Sequence, residues 1–326
     1  MKNKRILVTG GSGFIPSHVV RRLVHNGNNV TVIVKYNSLI DNVRLVDIWD
    51  DINVIEADLR NIDSLNQISS LKPEIIIHMA AYNHVGDSFI NVNEALLSNG
   101  VGTANLLNVY DDYELFVYTS TSEVYGYQES VPFVEGMNPA PISPYSIGKY
   151  SGELYARMLS TEKNKPIIIL RPFNTFGPYQ SPRAIIGELI IKCLRNEIIE
   201  TTEGEQTREF NYVSNVVDAF MLAIEKRDQV IGKITNIGAG EELKINELVK
   251  IIHKLTESTS ELKIGALENR PTEIWRMYTD AVIAKEVLGW EPKVKFVDGI
   301  KKTILWYQNY LNVFNNDSDL VKLSSY

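Results

Sequence analysis

Over the first half of the chain, short β-branched runs alternate with longer stretches in which apolar positions recur at helical spacing. Arg5–Thr9, Asn29–Val34, Asn53–Glu56, Ile75–His78 and Leu115–Thr119 are apolar enough throughout to predict buried strands. Between them, Phe14–Asn26, Ile62–Leu71 and Glu94–Tyr110 carry the periodicity of amphipathic helices. This rhythm predicts an α/β fold, a Rossmann-type doubly wound parallel sheet with right-handed crossovers. A further helix, Tyr145–Ser160, follows the cap and first-turn signal Ser143-Pro144. It leads into a sixth strand over Ile167–Leu170, stopped by Arg171-Pro172.

Beyond Pro172 the rhythm loosens. Gly177-Pro178 and Ser181-Pro182 punctuate a loop before a helix predicted over Ala184–Arg195. Glu203-Gly204-Glu205 and Asn236–Gly240 read as turns, and Asp280–Leu288 and Asp298–Tyr310 as helices. The polar Asn315–Tyr326 tail is expected to fray. The expected organisation is a dinucleotide-binding domain over residues 1–172, with 211–237 returning to it. Residues 173–210 and 238–326 then form a smaller α/β substrate lobe, suited to closing over a ligand.

Composition narrows the class. A length of 326 residues fits two units, and 44% hydrophobic with 22% charged residues is ordinary for a globular protein. The net charge of −7 gives no reason to expect nucleic acid. A single cysteine, Cys193, rules out an internal disulfide framework and reads as a buried small hydrophobe. His78 and His84 lack the Cys or paired carboxylates of a zinc site, so no metal is expected. The chain enters its first strand directly and has no apolar stretch of about 20 residues, so a cytoplasmic location is expected.

Three patterns carry chemistry. Gly10-Gly11-Ser12-Gly13-Phe14-Ile15-Pro16 joins the first strand to the first helix. Glycines there admit a pyrophosphate to the backbone, and the helix N-terminus favours its charge. Pro16 replaces the small residue usual in such turns, but the first helical turn tolerates a missing N–H. Second, Lys35 stands at the end of the second strand, where an acid would hold a ribose 2′-hydroxyl. A cation there favours NADP over NAD, with a solvated strand-end charge as the other reading. Asp58 is a candidate acceptor for the adenine amino group, in competition with helix capping ahead of Asn61.

Third, Tyr145 and Lys149 lie one helical turn apart, so the ammonium is expected to lower the phenol pKa and make Tyr145 a base. Such a pair alone is as readily a surface feature. Ser120-Thr121-Ser122-Glu123 upstream adds a hydroxyl and a carboxylate for a second proton transfer.

With these residues in view, the chain resembles the extended short-chain dehydrogenase/reductase family, through TGGSGFIPSH, ADLR, HMAA, STSEVYG, YSIGK, RPFNTFGP and REFNYV in that order. The HMAAYNHVGDSF segment is similar to that of sugar-nucleotide 4,6-dehydratases, and Thr121-Ser122-Glu123 resembles the triplet of the GDP-mannose type. The resemblance implies a catalytic set of Thr121, Ser122, Glu123, Tyr145 and Lys149. Tyr145 would take the sugar 4-hydroxyl proton, Glu123 the C5 proton, and hydride would return to C6. Thr121 would bind the C4 oxygen, and Ser122 occupies the place of an acid in many relatives. The implied cofactor site takes in Gly10, Gly13, Phe14, Ile15, Lys35, Asn37, Ser38, Asp58 and Leu59. Ala80, Ala81, Pro172, Tyr145 and Lys149 complete it.

Substrate contacts are implied for His84, Asn174, Arg183, Arg208 and Arg270, with surface ion pairing as the other reading of the arginines. Arg183 is either a pyrophosphate clamp or, as in UDP-glucuronate decarboxylases with the same triplet, a partner of the sugar. The implied substrate is a GDP-sugar, with UDP- and dTDP-sugars close behind. A homodimer is implied through a four-helix interface built from Glu94–Tyr110 and Tyr145–Ser160. Decarboxylase, 4-epimerase and 4-dehydrogenase activities stand as alternatives, and a nucleotide-binding regulator is the non-enzymatic one.

Overall fold

The computed structural model describes residues 1–36, 42–269 and 273–315; Asn37, Ser38 and Arg270 lie outside them. Six parallel strands, β1 (Arg5–Thr9), β2 (Asn29–Val34), β3 (Ile52–Glu56), β4 (Ile75–His78), β5 (Leu115–Thr119) and β6 (Ile167–Pro172), form most of one sheet. A seventh strand, Ile234–Ile237, pairs in parallel with β6, giving the order Ile234–Ile237, β6, β5, β4, β1, β2, β3. The order reverses between β1 and β4. A crevice therefore opens beyond their carboxyl ends, the usual ligand position in such sheets.

Both sheet faces are covered, which is why the strands read as unbroken apolar runs rather than alternating ones. Val8, Val32, Ile77 and Leu170 face the first helix (Phe14–His25), which buries Val19, Val20 and Leu23. Leu7, Ile33, Ile76, Phe116 and Ile169 face Leu106, Leu107 and Ala156 on the other side. The helix Val213–Glu225 joins the first layer, with Asp218 paired to Arg22 at 2.7 Å. The remaining small sheets, including Thr207–Arg208 between Leu243–Lys244 and Arg276–Met277, stand beyond the crevice.

Four elements differ from expectation. Ile62–Leu71 is a 3-10 turn (Ile62–Leu65) and one α turn (Ile68–Leu71), because Asn61 and Ser64 side chains capture backbone groups of the segment. The Glu94–Tyr110 helix contains a π turn over Leu97–Val101, flanked by Val92–Leu96 and Gly102–Val109. Asn236, expected in a turn, belongs to the edge strand, its N–H donating to Glu135 Oε1 at 2.7 Å. Ala284–Leu288 is likewise a π turn, closed by Gly289 at φ 61°. No helix among the described residues is long and apolar enough to cross a membrane.

Candidate active site

The first helix begins at Phe14 behind a turn in which Gly10 has φ 68°. A Cβ on Gly10 would stand 2.7 Å from Ala80 Cα, and one on Gly11 would collide with the Val32 side chain. The turn thus brings backbone within reach of a ligand that a bulkier residue would exclude, and its fit to a dinucleotide pyrophosphate is good. Pro16 is the third helical residue, where no intrahelical bond is lost, and its ring lies under Gly13. Across the crevice, Met79 and Ala80 N–H groups donate to Thr9 Oγ1 at 3.1 and 3.0 Å. His78 bridges Thr9 (2.7 Å) and Thr103 (2.9 Å), and burial holds its pKa well below the usual histidine value. It is a neutral brace between strands β1 and β4 and the helix carrying Thr103.

The Thr121 hydroxyl caps the turn Ser122–Tyr125, accepting from Glu123 N–H at 3.2 Å. That turn points Ser122 inward, its hydroxyl 3.5 Å from Met277 Sδ, while Glu123 remains partly open. Ser122, expected in the catalytic set, is therefore held against Met277 of the strand Arg276–Met277. The helix Pro144–Lys163 is started by reciprocal Ser143 and Ser146 side-chain caps with Pro144 in first position. Gly148 and Gly152 let it approach its neighbours closely; a Cβ on Gly152 would lie 2.7 Å from Tyr118 Oη.

One face of this helix carries Tyr145, Lys149 and Glu153 at successive turns. The Tyr145 phenol hydrogen-bonds the Thr121 side chain beside the Glu123 carboxylate. Its pKa is pushed up to about 12, by burial first, with Thr121 lowering it and the Glu123 charge raising it. The expected lowering by Lys149 does not occur in this geometry. Lys149 Nζ instead donates to the Thr119 carbonyl at 2.5 Å and lies 4.6 Å over the Tyr118 ring. Burial depresses the Lys149 pKa to about 7, against the opposing pull of Glu153. Glu153 accepts from Ser120 Oγ (2.6 Å), Arg171 Nε (3.0 Å) and Arg171 Nη2 (2.5 Å), entirely out of solvent.

At the outer end of the crevice, Lys35 lies 3.0 Å from Glu94, which also binds Arg60. Asp58 accepts from Arg60 Nε at 2.9 Å, and that hydrogen bond takes its pKa down to about 2. The helix cap that competed for Asp58 is made by Asn61, which accepts from Asp63 N–H at 3.0 Å. The Leu59 carbonyl accepts from Asn105 at 2.8 Å. Arg60 was not singled out in the sequence, although it directly follows Asp58-Leu59. Arg44 was also missed. It reaches the glycine turn, donating to Ser12 O at 3.3 Å and to Tyr179 O at 2.8 Å.

Among the expected substrate residues, His84 caps a short helix by accepting from Asp87 N–H at 2.9 Å. Arg183 pairs with Asp87 at 3.1 Å. Arg208 is held by Glu273 at 2.6 Å and by the Ile274 carbonyl at 2.6 Å. Asn174 lies just past β6, where Pro172 pairs with Ile237, and its carbonyl accepts from Asn211 N–H at 2.8 Å. Ala81 and Ile15 are partly buried beside the turn. No group of three or more His, Cys, Asp or Glu that could hold a metal occurs among the described residues.

The chain is similar to known proteins in both sequence and fold. A family model described as GDP-mannose 4,6 dehydratase matches residues 7–303. A dTDP-D-glucose 4,6-dehydratase of Bos taurus is 32% identical over 329 residues, covering 96% of this chain and 91% of that protein. The solved UDP-glucose 4-epimerase of Thermotoga maritima, with UDP-glucose, superimposes with a TM-score of 0.88 at 32% identity over 94% of this chain and 99% of that one. A dTDP-glucose 4,6-dehydratase of Streptomyces venezuelae, solved with NAD bound, gives 0.86 at 29% identity over 94% and 98%.

Proposed function

Since the chain belongs to the extended short-chain dehydrogenase/reductase family of NAD-dependent epimerases and dehydratases, we propose that it is a 4,6-dehydratase of nucleoside-diphosphate sugars. The observation that carries this is the Glu123 carboxylate beside Thr121 and Tyr145, because a simple 4-epimerase has no use for a second base. The residues of the glycine turn, with Asp58 and Ala80, would hold a nicotinamide dinucleotide, which accepts hydride from C4 and returns it to C6. Tyr145, held by Thr121, would take the proton of the sugar 4-hydroxyl as its phenolate, so the phenol proton that burial retains in this geometry has first to leave. The resulting ketone acidifies C5, Glu123 removes the C5 proton, and the C6 hydroxyl departs as water. Glu123, rather than Ser122 with its hydroxyl turned to Met277, would pass that proton on to the departing hydroxyl.

The sequence favoured NADP because of Lys35; its pairing with Glu94 supports NAD instead. A GDP-sugar was favoured from the resemblance, whereas the relatives named above are dTDP- and UDP-sugar enzymes. Exposed Leu97, Val101, Ile147, Leu154 and Met158 give the two helices an uncovered apolar side, which supports pairing with a second copy. The buried, unpaired Cys193 suits a reducing cytoplasm. Incubation with GDP-, UDP- and dTDP-hexoses tests the reading by product mass. Loss of water is expected. Loss of carbon dioxide from a uronate, unchanged mass or loss of two hydrogens would establish decarboxylation, epimerisation or 4-dehydrogenation instead.

A further inference from the structure

Two cations that follow different strands converge at the outer end of the crevice. Lys35 is the first residue past β2, and Arg60 follows β3 by four positions. Both are taken by one carboxylate, Glu94, from the start of the helix Val92–Leu96. Lys35 Nζ is 3.0 Å from Glu94 Oε1, and Arg60 Nη1 binds Oε2. Asp58 engages the other edge of the Arg60 guanidinium, through Nε at 2.9 Å. Two lysine and arginine charges face two carboxylate charges, so the cluster is balanced. All four side chains keep partial solvent access, so a ligand group can reach them.

A carboxylate that gathers a lysine and an arginine through its two oxygens does the work of a phosphate monoester at that point. Planar guanidinium and compact ammonium are the donors that phosphate prefers. A dinucleotide bearing a 2′-phosphate would have to displace Glu94 or stand beside it, and like charges at such a site oppose each other. A free 2′-hydroxyl brings no charge and can accept or donate to the same groups.

We propose that Glu94 is a specificity-determining residue: by holding Lys35 and Arg60 it takes the place of an adenosine 2′-phosphate and reserves the site for NAD. This rests on reading the glycine turn as a dinucleotide site, so binding rather than turnover is the test. Calorimetric titration of wild type with NAD⁺, NADP⁺, 5′-AMP and adenosine 2′,5′-bisphosphate should show the unphosphorylated member of each pair binding tighter. Glu94→Gln should tighten NADP⁺ and the bisphosphate by about tenfold, roughly 1.4 kcal/mol, and move NAD⁺ by less than about threefold. Adding Lys35→Met should abolish that gain, and raising the salt should shrink it. The proposal is overturned if wild type binds NADP⁺ more tightly than NAD⁺. It is equally overturned if Glu94→Gln, still binding NAD⁺, shifts both dinucleotides alike or neither. Failure of wild type to bind either dinucleotide would instead remove the cofactor reading itself.

Discussion

Glu153 and Arg171 form an ion pair at 2.5 Å with both side chains essentially out of solvent, one helical turn beyond Lys149. The pair ties the Tyr145 helix to the end of β6, and Ser120 Oγ joins it at 2.6 Å. The carboxylate also opposes the burial that depresses the Lys149 pKa. Fold and proton chemistry therefore share one charge.

Glu153→Gln leaves Arg171 uncompensated in the interior and should cost about 3 kcal/mol of stability or more, since breaking a buried pair removes compensation without removing the charge. Urea denaturation measures it. If the variant is as stable as wild type, Arg171 must find another counter-charge.

Tyr145→Phe keeps the ring but removes the phenol that bonds Thr121, and should lower kcat by about 10²–10⁴. Nucleotide binding should persist. A variant retaining wild-type turnover would transfer the base to another group.

Glu123→Gln separates the two proton transfers. Water loss should stop, while C4 oxidation remains visible as reduced nicotinamide absorbance on adding sugar nucleotide. Dehydration at the normal rate would remove Glu123 from the C5 step.

Glu209 is buried, and burial raises its pKa to about 8, although its oxygens accept from Gly240 N–H at 2.8 Å and Thr279 N–H at 3.1 Å. Its folded pKa lies above the unfolded one, so the folded state binds more protons between about pH 4.5 and 8. The stability from this group is complete below about pH 4.5 and is lost as pH rises through about 8. Glu209→Gln should flatten that part of the stability profile. Denaturation at about pH 5 and about pH 8 checks it, and parallel profiles for the two proteins would contradict it.

Leu154→Glu with Ile147→Glu should halve the apparent mass in gel filtration if the exposed apolar side of these helices seats a second copy. An unchanged mass would move the interface elsewhere.

The sheet was legible because strands such as Leu7-Val8 are buried on both faces, a property written locally in the residues. The glycine turn and the Tyr145 set were legible as short motifs for the same reason. The charge partnerships were not. Glu94 meets Lys35 and Arg60 from three separate segments, and Arg171, read only as the end of a strand, meets Glu153 through the packing of a helix. The side-chain direction of Lys149 was equally hidden. Its spacing from Tyr145 fixes a shared face, but the Thr119 carbonyl at the end of β5 decides where the ammonium goes.

The π turn at Leu97–Val101 amounts to one residue slipped into an otherwise regular helix. Asn99 sits inside it, accepting from Tyr82 N–H at 2.7 Å and donating to Tyr82 O at 3.0 Å. Chain length, rather than residue type alone, thus shapes the wall of the crevice. Deleting Ser98 should let the helix close into a uniform spiral with Ala95 and Thr103 still facing inward. It would also draw Asn99 away from Tyr82 and release the loop that begins there.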